Sequence, residues 1–446
     1  MKRIINGLLS PNPISNFIVA IIYSLVYDYV YSNHISTVWG YAVDRPFEPL
    51  SSSDLILYLL LASVPFVFYR GLKYFASAFS LFVYVFIYIP FTYSLFVHGF
   101  PVGLKYSYLL FFFIIMIVYF KTDRLSLFKK ALLRRRKKLP FTVIPIITVF
   151  LLIVLVIINR SQLHLVNFFV DTQSMYEFRE NANIKLIYVL CWLRAALLPL
   201  LMLYYLSKSD WLKYGLTFIG FVLLFMLDQQ KMTIIFPVAI TAIYFAIKYY
   251  NVKVSSRFHV FLILIFIIIP IFIIKHDSNP LSLVFSLIFI YRIQCIAGIQ
   301  FQKYVDFFEI QHNPYTYYTH IGIVNKITGL YPYDMSIGEV INDGEGNSNA
   351  TFFLMDGVAA AGLIGCIIVG ILFLIVKSIL NSFSYEYKVP LLTALFLFPL
   401  QSLMNVSLFT ALVSHGIIVL FLILIFVDIK EFKIATNHEE AFNTAE

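Results

Sequence analysis

Charged residues are scarce in this chain of 446 residues: Asp, Glu, Lys and Arg make up 13% of it, whereas hydrophobic residues make up 60%. Soluble globular domains carry about a quarter charged residues, and the mean hydropathy here is +0.84. The apolar residues form runs close to the roughly 20 residues that a helix needs to cross a bilayer. The composition therefore excludes an ordinary soluble domain and predicts an all-α polytopic integral membrane protein.

Cysteine is also rare, and the sequence patterns of common nucleotide and hydrolase sites are missing. Cys191, Cys295 and Cys366 lie in or beside apolar segments without metal-ligand spacing, which argues against a disulfide framework. There is no P-loop, GxSxG, HExxH or Asp-x-Asp pattern. The Asp-Gly-Glu sequence at 343–345 has the spacing of a metal-binding pair, but acids in a glycine-rich loop are more often only solvated. We expect no metal and no cofactor.

Twelve apolar runs predict twelve membrane-spanning helices, with ends uncertain by several residues. They cover residues 14–32, 55–69, 74–97, 106–120, 141–158, 186–206, 214–227, 232–247, 258–274, 352–376, 389–408 and 411–427. Lys and Arg accumulate in alternate connections, as they do in cytoplasmic loops, so both termini are predicted to be cytoplasmic. The basic run 134–138 is interpreted as a topology anchor near anionic lipid head groups. The net charge of +9 therefore does not indicate a nucleic acid partner.

The first run has no small-residue cleavage site and is interpreted as a retained helix rather than a signal peptide. The predicted organisation is then nine helices over residues 1–274, a large external loop over 275–351, and three helices with a cytoplasmic tail over 352–446.

The loop 275–351 concentrates Arg, His, Asp, Glu, Gly and Asn in a chain that has few of them. Its apolar segment 281–291 is too short to span and predicts a re-entrant or interface-lying helix. Farther on, the pattern predicts an amphipathic helix in the membrane surface: Phe301, Tyr304, Val305 and Phe308 repeat at helical spacing, with Gln302, Asp306 and Glu309 on another face. Polar groups near a bilayer are tolerated where they line a cavity or pair, so we expect the active site here.

Three cations are predicted to bind a diphosphate at the outer side of the membrane: Arg194, Lys231 and Arg292. Arg binds phosphate oxygens bidentately and Lys adds a point charge. For Arg194 the alternative is a structural ion pair with Asp228 or Asp356. For Lys231 the alternative is a local pair with Asp228 that caps a helical hairpin.

An acceptor hydroxyl would need a general base, and His320 and Asp356 are the leading candidates, beside His312 and Glu339. A single His in such a loop is more often a hydrogen-bonding residue. Asp356 stands at the start of an apolar helix, where a carboxylate can serve simply as a cap.

Three segments carry a resemblance to a known family. GNSNATFFLMDGVAAAGLIG (346–365) resembles the Gly-Asn-rich signature, followed by Phe, Asp and two Gly, of bacterial oligosaccharide repeat-unit polymerases, the Wzy-type O-antigen polymerases. YRIQCIAGIQFQKYVDFF (291–308) resembles the Arg-containing segment of that family, and DQQKMTIIFP (228–237) resembles its Lys-containing hairpin. Two departures are Ser348, where Ala is commoner, and a single Arg within 291–303 where the family has a pair.

The resemblance implies a membrane-integral glycosyltransferase of the bacterial cytoplasmic membrane, with its active site facing the periplasm. Its substrates would be oligosaccharides linked to undecaprenyl diphosphate, as in O-antigen and lipopolysaccharide biosynthesis, and a chain-length regulator protein would be a further partner besides the lipid bilayer. By matching position, the resemblance assigns site roles to Arg292, Asn347, Asn349 and Asp356, and then to Lys231. Arg194 and His320 are added on physical grounds.

Other functions stay open at this point. A flippase or transporter of lipid-linked sugars would place charges near the bilayer midplane between repeated halves, whereas most charges here are predicted at the outer face. A ligase acting on the same lipid carrier would share the cations and differ in its acceptor. A non-enzymatic receptor or scaffold would not need buried Arg194 or Arg292.

Overall fold

The computed structural model describes residues 12–40, 45–129, 138–164, 178, 183–250, 258–275, 280–344 and 347–434. These residues are mostly helical, and a short parallel pair of strands joins β1 (Leu139–Pro140) to β2 (Val427–Asp428). Most of the basic run 134–138 lies outside the described residues, as does Glu345 of the acidic pair.

The helices are numbered in the order in which they follow along the chain. They are α1 (Pro13–Val38), α2 (Ser52–Phe66), α3 (Phe75–Val97), α4 (Val102–Lys121), α5 (Val143–Ile158), α6 (Ile187–Ser207), α7 (Trp211–Asp228), α8 (Lys231–Tyr250), α9 (Phe258–Lys275), α10 (Ser282–Ile310), α11 (Gly322–Thr328), α12 (Ile337–Val340), α13 (Phe353–Tyr385), α14 (Val389–Leu395), α15 (Leu397–Ser402) and α16 (Leu408–Phe426).

Among the described residues, eight helices are long and apolar enough to cross a membrane: α1, α3, α4, α6, α7, α10, α13 and α16. Helices α2, α5, α8 and α9 contain shorter apolar stretches. The chain is therefore an all-α protein of the multi-pass membrane class, as predicted. The count of twelve spans and the side on which each loop lies remain predictions.

Helix α10 corrects the prediction of two separate short helices in the large loop. It runs without interruption for 29 residues, because polar residues that end the apolar run do not break the helix. One of them, Gln294, is buried, and its Nε2 donates to the carbonyl of Phe266 at 3.4 Å. The predicted apolar face of Phe301, Tyr304, Val305 and Phe308 is buried, but Gln302 is buried with it.

The predicted helix 389–408 is also corrected. The structure has two short helices there, α14 and α15, and residues 403–407 are not helical.

Helix α13 is a hairpin of two helices rather than one continuous rod. The backbone leaves helical geometry at Ala361 and at Gly362, which has φ +59°. The Cys366 Sγ–Phe353 O distance is 3.4 Å, and the rings of Phe352 and Phe373 stack 4.8 Å apart. A straight helix would separate such residues by about 20 Å or more, so the half-helix 353–360 folds back along 363–381.

The chain divides into two units by its internal contacts. The first comprises residues 1–125, 253–381 and 403–409, and it contains the large loop and α13 as far as Asn381. Its interior holds a buried ion pair between Lys377 and Asp123 (2.9 Å), supported by Ser80. The second comprises residues 126–252, 382–402 and 410–446. There α6 packs on α7 and α8, and Lys138 pairs with Glu386.

Candidate active site

One face of α10 forms the wall of a polar cavity of about 760 Å³ in the first unit. Residues on this face recur every three or four positions, as they must on one side of a helix. They are Arg292, Ile296, Gln300, Lys303, Phe307 and Gln311, with Tyr291 and Asp306 beside them. The opposite wall is Ile341, Asn342 and Asp343 after α12, followed by Asn347 and Ser348. The cavity thus brings together Arg292 and Asn347, which the sequence predicted from two separate segments.

Hydrogen bonds hold the loop wall in place. Ser348 Oγ donates to Asn342 Oδ1 (2.6 Å), and Lys303 Nζ donates to the same oxygen (3.4 Å). The Ser348 amide donates to the carbonyl of Gly338 (2.8 Å). The Asn347 side chain lies against Gly338, in the space that a Cβ at position 338 would occupy. Asn347 is therefore positioned against α12 and faces the cavity.

Asp306 in the cavity wall is already part of an ion pair. Arg45 Nε donates to both carboxylate oxygens of Asp306, at 2.6 and 2.8 Å. The same guanidinium donates to the carbonyls of His98 (3.2 Å) and Gly99 (3.0 Å). The other formal charges that line the cavity are Arg292, Lys303 and Asp343. The cavity wall therefore contains both cations and carboxylates.

Gln300 is a further polar residue of the same wall. Its side chain is 6% exposed, and its Oε1 is buried without a hydrogen-bond partner among the described residues. A buried polar atom left unpaired costs about 1–3 kcal/mol. This atom is closed off from the cavity, so it is an unpaired polar group inside the protein rather than a contact for a ligand.

His320 and Asp356 meet, but away from the cavity. His320 Nε2 lies 2.9 Å from Asp356 Oδ1, and its Nδ1 lies 2.9 Å from Thr316 Oγ1. The other carboxylate oxygen of Asp356 accepts the backbone N–H of Leu408 at the start of α16. Neither side chain lines the cavity. All four polar atoms of this pair are engaged, and Asp356 caps α16 rather than its own helix.

The turn of the α13 hairpin is held by the loop that contains His320. The amides of Thr316 and Tyr317 donate to the carbonyls of Ala359 (2.9 Å) and Ala360 (3.0 Å), which the break removes from the helix. These bonds satisfy backbone groups that a membrane interior would penalise.

A carboxylate from α10 also contacts this turn. Tyr108 donates to Glu309 Oε1 (2.8 Å), and Gly362 lies against the side chains of Glu309 and Tyr315. Burial raises the pKa of Tyr315 to about 12, and the charge of Glu309 acts in the same direction. The Tyr315 phenol is therefore protonated at neutral pH.

In the second unit, Arg194 forms the ion pair that was the alternative to a functional role. Its Nη1 donates to Asp228 Oδ2 (2.6 Å) and to Gln230 Oε1 (2.5 Å), and its guanidinium lies 5.0 Å from the ring of Phe398. Arg194 and Asp228 are each 3% exposed. Because Asp228 pairs with Arg194, it does not serve mainly as the predicted partner of Lys231.

The remaining predicted residues lie as follows. Lys231 is half-buried at the start of α8, and Asn349 is exposed and does not line the cavity. Glu339, a candidate base, instead closes a capping box with Ser336 at the start of α12.

Three predicted site residues share an unusual local geometry. Each lies in a π-helical stretch: Arg194 in Leu193–Leu197, Arg292 in Ser286–Cys295 and Asp356 in Phe353–Val358. Such wider turns occur frequently at functional sites.

Sequence reasoning missed Gln300 and Lys303, although a signal was present. Both fall on one helical face with Arg292, at intervals of three and four residues. That face becomes visible only when 281–291 and the residues after it are treated as one helix.

Comparison with protein-family models, with curated proteins and with solved structures finds no match to this chain.

Proposed function

We propose that this chain is a membrane-integral glycosyltransferase that polymerises oligosaccharide repeat units linked to undecaprenyl diphosphate. The observation that carries the proposal is the cavity in which Arg292, Lys303 and Asn347 meet. The two cations are suited to a diphosphate. The side-chain amide of Asn347 is suited to sugar hydroxyls.

In the proposed reaction, a hydroxyl of a fresh lipid-linked repeat unit attacks the anomeric carbon of the growing lipid-linked chain. Undecaprenyl diphosphate leaves as the new glycosidic bond forms. Negative charge grows on the leaving oxygen, so fixed cations lower the barrier by stabilising that charge. Arg292 and Lys303 have this role. The resembled family has two Arg in the segment that corresponds to 291–303, and here Lys303 takes the place of the second cation.

We further propose that α10 does not cross the membrane and that both of its ends lie at the outer face, as the re-entrant and interface-lying alternatives both predicted. Both ends of α10 contact residues near the ends of α1 and α3. Ser286 bonds to His34 and to Trp39 Nε1 (3.2 Å). At the other end, Asp306 pairs with Arg45 (2.6 Å), which in turn donates to the carbonyl of His98 just after α3.

The α13 hairpin gives specific support to the transporter alternative. Discontinuous helices form substrate sites in many transporters, and the break at Ala361 and Gly362 is one. A flippase of lipid-linked sugars is therefore the second candidate function.

The test uses purified protein in detergent with a synthetic lipid-diphosphate repeat unit and no nucleotide, ATP or added metal. We expect a ladder of polymer products. Arg292→Ala removes a cation that acts on the leaving group, so the rate should fall by about 10²- to 10³-fold. Arg292→Lys, which keeps the charge but not the fork, should retain intermediate activity.

Lys326→Ala is the matched control, because Lys326 is an exposed cation on α11 outside the cavity. It should behave as the unaltered protein. An absent ladder together with movement of the lipid across liposomes would replace the polymerase by the flippase. An active Arg292→Ala variant would remove the cavity as the site.

A further inference from the structure

We propose that Asp343 is the general base of this cavity, taking the proton from the attacking hydroxyl. The inference rests on the proposed glycosyl transfer and concerns the same site. It assigns the proton transfer to a residue in the cavity wall rather than to His320 or Asp356.

Among the described residues, three other carboxylates near the site have partners of their own. Asp306 is bound by Arg45 through both oxygens. Asp356 is bound by His320 and by the start of α16. Glu339 closes the capping box of α12. Of the described carboxylates that line the cavity, Asp343 is the one outside the Arg45 ion pair.

The backbone presents Asp343 to the cavity while keeping its side chain open to water. Its amide donates to the carbonyl of Val340 (3.2 Å) at the end of α12. The residue adopts φ +51°, and its side chain is exposed. Left-handed backbone geometry is uncommon for a residue with a side chain, although Asp and Asn adopt it more readily than most. The carboxylate thus shares the cavity with Arg292 and Lys303 without being buried.

The step balances without any further reactant. The acceptor oxygen forms a bond to the anomeric carbon, and the bond from that carbon to the diphosphate oxygen breaks with its electron pair. The acceptor proton passes to a carboxylate oxygen of Asp343 and then to water. The charge of the departing diphosphate stays beside Arg292 and Lys303, whereas the base lies on the opposite wall.

The experiment compares polymer-forming rates of the full-length protein and its variants across pH, with the synthetic lipid-diphosphate repeat unit as substrate. Asp343→Asn and Asp343→Gly both tolerate the left-handed backbone, so both should fold. Positioned bases contribute about 10²- to 10⁴-fold, and we expect a loss of that size. The acidic limb of the pH–rate profile should disappear, and formate should partly restore Asp343→Gly.

Asp334→Asn is the control, because Asp334 is an exposed acid of the same loop outside the cavity. It should leave rate and profile unchanged. The assignment of Asp343 would be overturned if Asp343→Asn kept activity within threefold of the unaltered protein, or if its pH–rate profile kept the acidic limb. Either result would leave the proposed polymerase function unaffected. If the unaltered protein forms no polymer, the proposed function fails and this inference fails with it.

Discussion

Placing a cation inside an apolar segment costs free energy, and Arg194 and Arg292 lie in different environments. Arg194 is bound by a buried carboxylate, an amide and an aromatic ring. Arg292 lies in the wall of a polar cavity. Removing Arg194 would leave Asp228 buried without its partner, which typically costs 3–5 kcal/mol. Lost activity at Arg194 would therefore report folding, whereas Arg292 is the informative position.

His98 predicts a pH dependence of stability. Burial lowers its pKa from 6.5 to about 4, and the charge of Arg45 acts in the same direction. The folded protein therefore keeps His98 neutral, while the unfolded chain takes up a proton below about pH 6.5. Because the unfolded state binds more protons there, stability falls as pH decreases from 6.5 to about 4 and is unaffected by this group above that range.

The effect can be isolated by comparing unfolding of the unaltered protein and His98→Gln in detergent between pH 7.5 and pH 4.5. The unaltered protein should lose up to about 2–3 kcal/mol more than the variant over this range, since one pKa unit corresponds to about 1.4 kcal/mol. Parallel pH curves for the two proteins would contradict the explanation. Gln can still bond to Tyr31, the neighbour of His98 Nε2 at 2.8 Å.

At the scale of elements, the α13 hairpin explains why glycine stands at positions 357 and 365. A Cβ on Gly365 would collide with the carbonyl of Gly357, and a Cβ on Gly357 would collide with Cys366. The two arms of the hairpin thus approach at backbone distance. Asp356 lies on the short arm, so this packing also positions its bonds to His320 and α16.

Gly365→Ala should therefore destabilise the protein, because the added methyl group forces the two arms apart. Overpacking of this kind typically costs about 1–3 kcal/mol, measurable as a lower midpoint of thermal unfolding in detergent. Gly370→Ala is the control on the same helix, since a Cβ there meets only the side chain of Ile115 at 3.4 Å and that of Phe111. Equal midpoints for the two variants would argue against the close contact.

Sequence patterns predicted the features that depend on composition and period. The membrane class followed from hydropathy, and the buried stripe of α10 followed from its helical spacing. The hairpin in α13 could not be predicted from the sequence, because a run rich in Ala, Gly and Leu is compatible with a straight helix and with two helices joined by a sharp turn. The Asp228 partner of Arg194 was foreseen as an alternative. Lys303 was not recognised as a site residue, because the sequence predicted two separate helices where α10 is one. Lys303 and Arg292 share a face only in the single helix.

At the scale of the whole molecule, the orientation of α10 decides where the cavity opens. A helix of 29 residues is long enough to cross a bilayer, and such a crossing would put the loops before and after it on opposite sides. Contacts of its two ends with the ends of α1 and α3 favour a helix that stays within one face. In that case the loop that carries Asp343 and Asn347 shares a side with the end of α9.

Single cysteines can distinguish these arrangements after Cys191, Cys295 and Cys366, all buried and free, are replaced by Ala. Lys275→Cys reports the exposed end of α9, and Ile323→Cys reports the exposed face of α11. In intact cells with a permeabilised outer membrane, an impermeant maleimide should label both.

Arg124→Cys, exposed after α4 on the predicted cytoplasmic side, should be labelled only after the inner membrane is opened. Labelling of position 275 without position 323 would mean that α10 crosses the membrane. The cavity wall formed by Asp343 and Asn347 would then face the cytoplasm, where a periplasmic polymerase could not use it.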